Sequence, residues 1–247
     1  TRQIVPTDGS WKGSDSPVLF SEIYDGETYD ARLEQDGWCL PGFDCGGWRP
    51  VSEVPYDFSV LTAQPGCRVR ECKSFPAQRV FRTPKGETVL DFGQNLTGWV
   101  HFRVRGKAGD RVVLNHFEVL DRDGNAYFAN LRTAKQTVIY TLRGGAEETF
   151  HPHFTFQGFR YVRVKEYPGD VRSEDFRAVA VHSDLKPTGS FECSNTDLNR
   201  LQHNIIWGMK GNFVDIPTDC PQRDERLGWT GDAQIFCRTA SFLADTD

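Results

Sequence analysis

In the middle of the chain the sequence reads Thr88-Val89-Leu90-Asp91-Phe92, then Trp99-Val100-His101-Phe102-Arg103-Val104, then Arg111-Val112-Val113-Leu114-Asn115-His116. Apolar and polar side chains alternate in these segments, as they do in strands with one face in a core and one in solvent. Further runs of strand-forming residues follow at 136–142, 154–156, 161–165 and 176–182. Turns such as Asp123-Gly124-Asn125 and Arg143-Gly144-Gly145 separate the runs. Short strands with turns between them predict an antiparallel β-sandwich.

The preceding segment also carries strand and turn signals. From Pro17 to about Leu61, short aromatic and β-branched runs alternate with clusters of Gly, Pro and Asp, as in Pro41-Gly42-Phe43-Asp44-Cys45-Gly46-Gly47-Trp48. This pattern predicts more short strands. From about Cys72 to Ser183 the strand pattern continues more regularly.

A helical pattern replaces the strand pattern near residue 186. Apolar residues recur at helical spacing at Leu198, Leu201, Ile205 and Met209. Ser194 or Asn195 suits the N-cap, and Lys210-Gly211 suits the end of this helix. A second helix is predicted to begin near Ile235. The change of pattern predicts a domain boundary near residue 186.

The composition is that of an ordinary folded protein. Of the 247 residues, 38% are hydrophobic and 26% are charged, which is enough apolar content for more than one core. The formal net charge is -5, and basic residues are interspersed with acidic ones. This argues against nucleic acid and anionic membranes as partners, because both bind clustered Lys and Arg. No segment reaches the length of a membrane span, and no signal peptide is visible. The chain begins at Thr1 without a methionine, and we interpret it as a portion of a longer chain.

The seven cysteines show neither CxxC pairs nor the spacing of a disulfide framework. We expect reduced thiols and a cytoplasmic protein. The alternative is a periplasmic or secreted protein in which Cys39 with Cys45, or Cys67 with Cys72, form local bridges.

The most informative motif is Asp219-Cys220-Pro221-Gln222-Arg223-Asp224-Glu225-Arg226-Leu227-Gly228-Trp229-Thr230-Gly231-Asp232. It combines four carboxylates, two arginines and a tryptophan with helix-breaking Pro and Gly, so we place it on the connection between the two helices. Carboxylic acids donate protons and bind hydroxyls, and a flat aromatic ring packs against a pyranose. The motif therefore predicts a sugar site.

Two questions about this motif stay open at the level of sequence. Neighbouring carboxylates raise the pKa of a general acid, whereas Arg223 and Arg226 lower it, so composition does not select Glu225 over Asp224 as the acid. The alternative to a sugar site is a charged loop with internal ion pairs, in which Asp232 caps the second helix and Trp229 packs on the core.

The complete motif resembles the signature of bacterial α-L-rhamnosidases, glycoside hydrolase family 78. Other segments that resemble this family, in the same order, are Asp25–Arg32 with Trp38, Leu90–Trp99, His116–Asp121, Phe154–Tyr161, Phe191–Asn195 and Gly211–Thr218. The resemblance covers nearly the whole chain. It implies a multidomain fold: residues 1–71 end an N-terminal β-sandwich domain, 72–185 form a concanavalin-like antiparallel β-sandwich, and 186–247 begin an (α/α)6-barrel catalytic domain.

The resemblance also implies roles for residues of the motif. Glu225 is the general acid that protonates the departing glycosidic oxygen. Asp219 and Asp232 bind rhamnose hydroxyls, Trp229 packs against the apolar face of the sugar, and Arg223 joins the substrate-binding set. The expected partner is a rhamnose-containing glycoside or oligosaccharide, and no metal or other cofactor is expected.

The same family inverts the configuration at the anomeric carbon, which needs a second carboxylate roughly 6.5–9.5 Å from the first. In the family this base lies much further along the barrel, and no position here corresponds to it. Residues 186–247 have room for roughly three or four helices, not a closed double ring. We therefore expect the supplied chain to lack full activity, and its helices to pack on the sandwich, to be poorly soluble or to belong to a longer chain.

Several other residues are set aside. His151-Pro152-His153 lacks a recognised metal-ligand spacing, and His101 and His116 are expected at the sheet surface or partly buried. Cys220 is expected to be a packing residue. For Trp38, Trp48 and Trp99 we favour burial in the core over a sugar-binding face.

Two functions from different classes follow. The first is an inverting α-L-rhamnosidase that releases terminal non-reducing α-L-rhamnose. The alternative is a non-catalytic carbohydrate-binding or scaffold β-sandwich module. The oligomeric state is not predicted.

Overall fold

The computed structural model describes residues 3–64 and 66–246, which form a large β-sheet followed by two α-helices. The strands are β1 (Lys12–Gly13), β2 (Val18–Glu22), β3 (Gly26–Asp30), β4 (Arg49–Pro50), β5 (Val69–Pro76), β6 (Arg79–Arg82), β7 (Thr88–Arg105), β8 (Arg111–Phe117), β9 (Thr137–Thr141), β10 (Glu147–Phe150), β11 (Gln157–Glu166), β12 (Phe176–Ser183), β13 (Phe213–Val214) and β14 (Ile216–Pro217). The helices are α1 (Thr196–Asn212) and α2 (Thr230–Leu243), with short 3₁₀ turns at Ala31–Leu33, Phe58–Val60, Ala129–Leu131 and Ser173–Asp175.

Ten strands form one sheet in the order β2-β3-β9-β8-β11-β7-β12-β5, with β6 and β10 also paired to β7. Among the described strands of this sheet, β3 and β9 pair in parallel and the other pairs are antiparallel. The sheet curls, and the predicted β-sandwich followed by the first helices is confirmed.

Strand β7 joins the two parts of the curled sheet. The sequence predicted two separate strands here, but the backbone is continuous from Thr88 to Arg105. Its first residues pair with β6 and β11, whereas its last residues pair with β10 and β12. Gly98 lies at the crossing with φ of +154°, and a Cβ there would be 1.8 Å from the carbonyl oxygen of Val179. Only glycine therefore allows β12 to approach so closely.

The core lies between the faces of this sheet. Most of its side chains come from β3, β7, β8, β9, β11 and β12, and its fully buried large members include Leu90, Phe92, Phe102, Leu114 and Phe159. Full burial of such a side chain contributes about 1.5–3 kcal/mol relative to exposure. The alternating strands therefore account for most of the buried apolar surface.

The N-terminal segment shares the sheet with the central sandwich. Strand β3 pairs with β9 from Gly26 to Asp30, and a Cβ at Gly26 would lie 2.0 Å from the carbonyl oxygen of Thr137. The residues between β3 and β5 form mainly turns and loops. The boundaries near residues 71 and 186 stay predictions.

Two expectations about the central sheet were wrong. Residues 154–156 are not a strand, because the amides of His153 and Phe154 donate to the buried Glu27 carboxylate (2.9 and 3.0 Å) instead of to a neighbouring strand. His116 is completely buried, with Nδ1 2.9 Å from the carbonyl oxygen of Gln136. Burial lowers the His116 pKa to about 4, so this ring is neutral at pH 7.

Trp38, Trp48 and Trp99 of the β domains are not core residues. Trp38 is 62% exposed, and Trp48 and Trp99 are half-buried. Trp38 and Trp48 belong to the turns after β3, and Trp99 stacks on His151 on the face of β7 opposite the buried Val100. The prediction of core burial was wrong because the sheet turns these side chains away from the interior.

Helix α1 packs on the sandwich. The Asn195 side chain caps it by accepting the amides of Asp197 and Leu198, which confirms one of the two predicted caps. Trp207 meets Phe75 of β5 edge-on at 5.3 Å, and its side chain joins the sandwich core.

Helix α2 packs on α1 through a small cluster that contains Met209, Ala240 and Ala244. It begins at Thr230, and its N-cap residue is Trp229, so the alternative of Asp232 as the cap was wrong. Within the described residues, 186–246 contain two helices, not three or four, because 213–229 form a short hairpin and a loop. Neither helix is long and apolar enough to cross a membrane. The seven cysteines are all free thiols.

Candidate active site

The motif forms a closed loop between β14 and α2. Thr218 pairs with Gly228 across its base. The Asp219 carboxylate accepts the amides of Cys220 (2.9 Å) and Leu227 (3.2 Å), so it ties the two ends of the loop together. The predicted connection between helices is confirmed for residues 219–229, whereas residues 230–232 belong to α2.

The loop lies directly on strand β11 of the sandwich. A Cβ at Gly158 would be 2.8 Å from the carbonyl carbon of Pro221 and 3.0 Å from the amide nitrogen of Gln222. The absence of a side chain at Gly158 therefore makes room for the loop.

Arg226 anchors the loop to both β domains. It is 4% exposed and adopts a φ of +55°, which is uncommon for a residue other than glycine. Its guanidinium donates to the carbonyl oxygens of Ile23, Phe156 (2.6 Å) and Gln222 (3.0 Å), and to the side-chain oxygen of Gln136 (2.9 Å). Burial lowers the Arg226 pKa to about 10, so the group stays charged at neutral pH.

Glu225, immediately before this anchor, is held on both sides. Arg132 Nη1 donates to Oε1 at 2.6 Å, and Arg223 Nε donates to Oε2 at 2.9 Å. The hydroxyl of Tyr24 donates to the Glu225 carbonyl oxygen at 2.6 Å. Both the backbone and the carboxylate of Glu225 are therefore fixed by residues from three parts of the chain.

Asp224 faces the same sandwich segment. Its Oδ1 forms an ion pair with Arg132 Nε at 2.7 Å, and its Oδ2 accepts the Thr133 hydroxyl. Of the two acids that the sequence left open, Asp224 is the less exposed. Glu225 is the one that lies beside Asp219 and Cys220.

The arginines decide the ionisation of both carboxyl groups. The hydrogen bond from Arg132, with the hydrogen bond and positive charge of Arg223, lowers the Glu225 pKa to about 2. The hydrogen bond from Thr133 and the charge of Arg132 lower the Asp224 pKa. At neutral pH both groups are therefore ionised in this arrangement.

Trp229 and Asp232 are both exposed to solvent. Trp229 is 55% exposed, so the alternative of core packing was wrong, and Asp232 is exposed in the first turn of α2. Arg223 forms a hydrogen bond and an ion pair with Glu225. Among the described residues, no hydrogen bond or ion pair involves the side chain of Trp229 or of Asp232. The structure thus brings Asp219, Arg223 and Glu225 together and leaves the ring and the second aspartate open to solvent.

Three ligand atoms at this site lie close enough to contact one cation. They belong to Asp219, Cys220 and Glu225 and are within 4.8 Å of one another. Cys220 is buried, as expected of a packing residue, and its Sγ lies 3.7 Å from Glu225 Oε2. The Asp219 carboxylate also accepts an amide, and the Glu225 carboxylate also accepts from Arg223.

The sequence did not predict the residues outside the motif that bind Glu225. Tyr24 is 201 positions from Glu225, and Arg132 is 93 positions away. Neither residue stands in a pattern that predicts a contact with the motif. Arg132 and Gln136 both have positive φ, which no sequence pattern shows.

Three family models match the chain in succession. They are the α-L-rhamnosidase N-terminal domain at residues 1–73, the bacterial α-L-rhamnosidase concanavalin-like domain at 81–182 and the bacterial α-L-rhamnosidase six-hairpin glycosidase domain at 186–247. Together they leave only short stretches unmatched.

Curated relatives carry the same description. An α-L-rhamnosidase from Streptomyces avermitilis is 43% identical over all 247 residues, which correspond to 24% of its length. An α-L-rhamnosidase from Formosa agariphila is 38% identical over 97% of the chain and 26% of its own length. The chain therefore spans about a quarter of the length of these relatives.

Solved structures show the same fold. The crystal structure of native α-L-rhamnosidase from Aspergillus terreus is 47% identical and superposes with a TM-score of 0.94, covering 98% of this chain and 28% of that one. The Streptomyces avermitilis α-L-rhamnosidase complexed with L-rhamnose is 44% identical, with a TM-score of 0.92 over 96% of this chain and 23% of that one. From its N-terminal β domain through its concanavalin-like sandwich to the start of a six-hairpin glycosidase domain, the chain belongs to the α-L-rhamnosidases of glycoside hydrolase family 78.

Proposed function

We propose that this chain is part of an inverting α-L-rhamnosidase that hydrolyses terminal non-reducing α-L-rhamnose from glycosides or polysaccharides. One observation carries the proposal. The loop that holds Glu225 beside Asp219 and Arg223 is anchored on a β-sandwich, in a chain 43% identical to a curated α-L-rhamnosidase. The sandwich keeps a set of acidic groups at a defined surface.

In this proposal each residue of the loop has a chemical task. Glu225 protonates the glycosidic oxygen as the bond to the sugar breaks. Asp219 and Asp232 accept hydrogen bonds from sugar hydroxyls, and Arg223 donates to them. Trp229 presents its exposed ring to the apolar face of rhamnose.

The ionisation of Glu225 adds a requirement. A general acid must carry a proton, whereas the Glu225 pKa in this arrangement is about 2. Its pKa therefore has to rise before the glycosidic bond breaks. A second carboxylate brought close to Glu225 has this effect.

The proposal also needs a catalytic base. Inversion uses a second carboxylate on the opposite side of the sugar, roughly 6.5–9.5 Å from the acid, with a water between them. We propose that this base belongs to the part of the relatives' glycosidase domain that the present chain does not span. The 247-residue chain by itself is then inactive.

Hydrolysis of p-nitrophenyl α-L-rhamnopyranoside tests the proposal. The enzyme is this chain continued through a complete glycosidase domain, compared with its Glu225→Gln variant. We expect the variant to lose activity by about 100-fold or more, because an amide cannot donate the proton. The matched control is Glu147→Gln, a half-exposed glutamate on β10 that pairs with Arg105 at 3.4 Å. Full activity of Glu225→Gln would contradict the assignment.

A specific observation keeps the carbohydrate-binding alternative open. A groove of about 690 Å³ at the edge of the sandwich is lined by Tyr29, Trp38, Trp48 and Phe154, with Asp36 nearby. Aromatic rings beside polar groups are suited to saccharides. If this groove is the functional site, Trp38→Ala abolishes oligosaccharide binding, while Glu225→Gln leaves that binding intact. Isothermal titration calorimetry measures both affinities.

A further inference from the structure

Arg132 stands out in the sandwich because of its backbone. It follows the 3₁₀ turn Ala129–Leu131 and adopts φ of +58° and ψ of -113°. A residue other than glycine in such a conformation costs on the order of 1–3 kcal/mol and persists only where its surroundings enforce it. The strain therefore calls for a compensating interaction at this position.

The side chain of Arg132 supplies that interaction across domains. Its Nε lies 2.7 Å from Asp224 Oδ1, and its Nη1 lies 2.6 Å from Glu225 Oε1. One planar guanidinium thus bridges the carboxylates of two consecutive residues of the loop. Such a fork restricts the direction of both groups, which a single point charge does not.

The residues after Arg132 extend the same contact. The Thr133 hydroxyl binds the second oxygen of Asp224, and the Gln136 side chain accepts from Arg226 at 2.9 Å. The segment 132–136 therefore contacts residues 224, 225 and 226 in turn. The acidic loop is therefore held by several neighbouring contacts with this segment and not by a single surface ion pair.

Two comparisons within the chain separate this contact from ordinary ion pairs. Arg105 and Glu147 form an exposed pair at 3.4 Å, a kind that contributes about 0–1 kcal/mol. Arg223 also binds Glu225, but it belongs to the loop itself and cannot place that loop on the sandwich. Arg132 alone links the Glu225 carboxylate to the sandwich among the hydrogen bonds and ion pairs of residues 3–64 and 66–246.

We propose that Arg132, from the concanavalin-like domain, is a positioning residue that orients the Glu225 carboxylate for proton donation. The inference rests on the proposed role of Glu225 as the general acid. It assigns to the β-sandwich a part in the reaction, because the sandwich sets the direction of a group that the helical domain carries.

The positioning has a consequence for pH dependence. The hydrogen bond from the Arg132 guanidinium lowers the Glu225 pKa, so its removal raises that pKa. A general acid with a higher pKa keeps its proton to higher pH. The alkaline limb of the activity profile therefore moves upward in pH when the hydrogen bond from Arg132 is removed.

The test compares Arg132→Met and Arg132→Lys with wild type in the chain continued through a complete glycosidase domain. Arg132→Met keeps the apolar stem and removes the fork, whereas Arg132→Lys keeps the charge. Arg105→Met is the matched control for loss of an exposed, ion-paired arginine. The measurements are kcat, KM and the pH profile of kcat/KM with p-nitrophenyl α-L-rhamnopyranoside, and amide hydrogen exchange of the peptide 219–229.

For Arg132→Met we expect kcat to fall about tenfold or more with KM nearly unchanged, since a misplaced catalytic group costs turnover. The alkaline limb moves up by about one pH unit, and exchange in 219–229 becomes faster. In Arg132→Lys we expect the alkaline limb to lie close to its wild-type pH, whereas kcat recovers only in part. Arg105→Met behaves as wild type.

Other outcomes overturn the inference. An unchanged kcat and limb would make Arg132 a surface ion pair, and a raised KM at constant kcat would make it a sugar-binding residue. Amide hydrogen exchange distinguishes failure of the Arg132 inference from failure of the proposed rhamnosidase function. If the wild-type enzyme does not hydrolyse the rhamnoside, the proposed function and the role of Glu225 fail, while faster exchange in Arg132→Met still identifies Arg132 as the anchor of the loop.

Discussion

The β-sandwich and the helical segment differ in how completely each buries its own apolar residues. In the sandwich, Phe92 and Phe102 are fully buried, whereas Ile235 and Phe242 of α2 are 80% and 71% exposed. A curled antiparallel sheet encloses a core from its own strands, but a pair of helices covers only one side of each. The sandwich can therefore be stable through its own core, whereas the acidic loop is held in place by its contacts with the sandwich.

The largest effect is expected from the sandwich core. Phe102 lies against Tyr140, Phe150 and Phe176, with ring centroids about 6 Å apart. Phe102→Ala should lower the free energy of unfolding by about 3–5 kcal/mol, because it leaves a cavity in a close-packed region. Urea unfolding followed by circular dichroism measures the change. A loss below about 1 kcal/mol would mean that the sandwich is not the main source of stability.

A smaller effect is expected where the loop meets the frame. Arg226→Met removes the guanidinium from the acceptors at Ile23, Phe156 and Gln136 and leaves them buried without this donor. We expect a loss of about 2–3 kcal/mol in the free energy of unfolding.

The matched control for Arg226→Met is Arg238→Met on the exposed side of α2, expected within about 0.5 kcal/mol of wild type. Equal stability of the two variants in urea unfolding would contradict the anchoring role of Arg226.

The smallest effect is expected on the exposed helix face. Phe242→Ala should change the free energy of unfolding of the 247-residue chain by no more than about 0.5 kcal/mol, because the ring is mostly in solvent. The same urea series measures it. A loss comparable to that of Phe102→Ala would show that α2 packs against something in solution, which analytical ultracentrifugation of both variants would detect as self-association.

The sequence predicted the elements better than their junctions. Alternation located β8, β11 and β12, and the Asn195 cap located the start of α1. It divided β7 in two, because glycines that usually end a strand here bend a continuous one. It wrongly predicted burial of Trp38 and Trp99, because a sequence pattern shows that a strand has two faces but not which face the fold buries.

For the candidate site, the sequence alone located the acidic loop and, through its resemblance, the family. It did so because Pro and Gly interrupt a helix locally and because the order of the motif residues is read directly from the chain. Tertiary structure alone decided that Arg132 and Arg226 hold the loop on the sandwich, and that Glu225 is ionised in this arrangement. The reason is physical: a pKa depends on distances and burial, and residues 93 positions apart acquire a distance only when the sheet has formed.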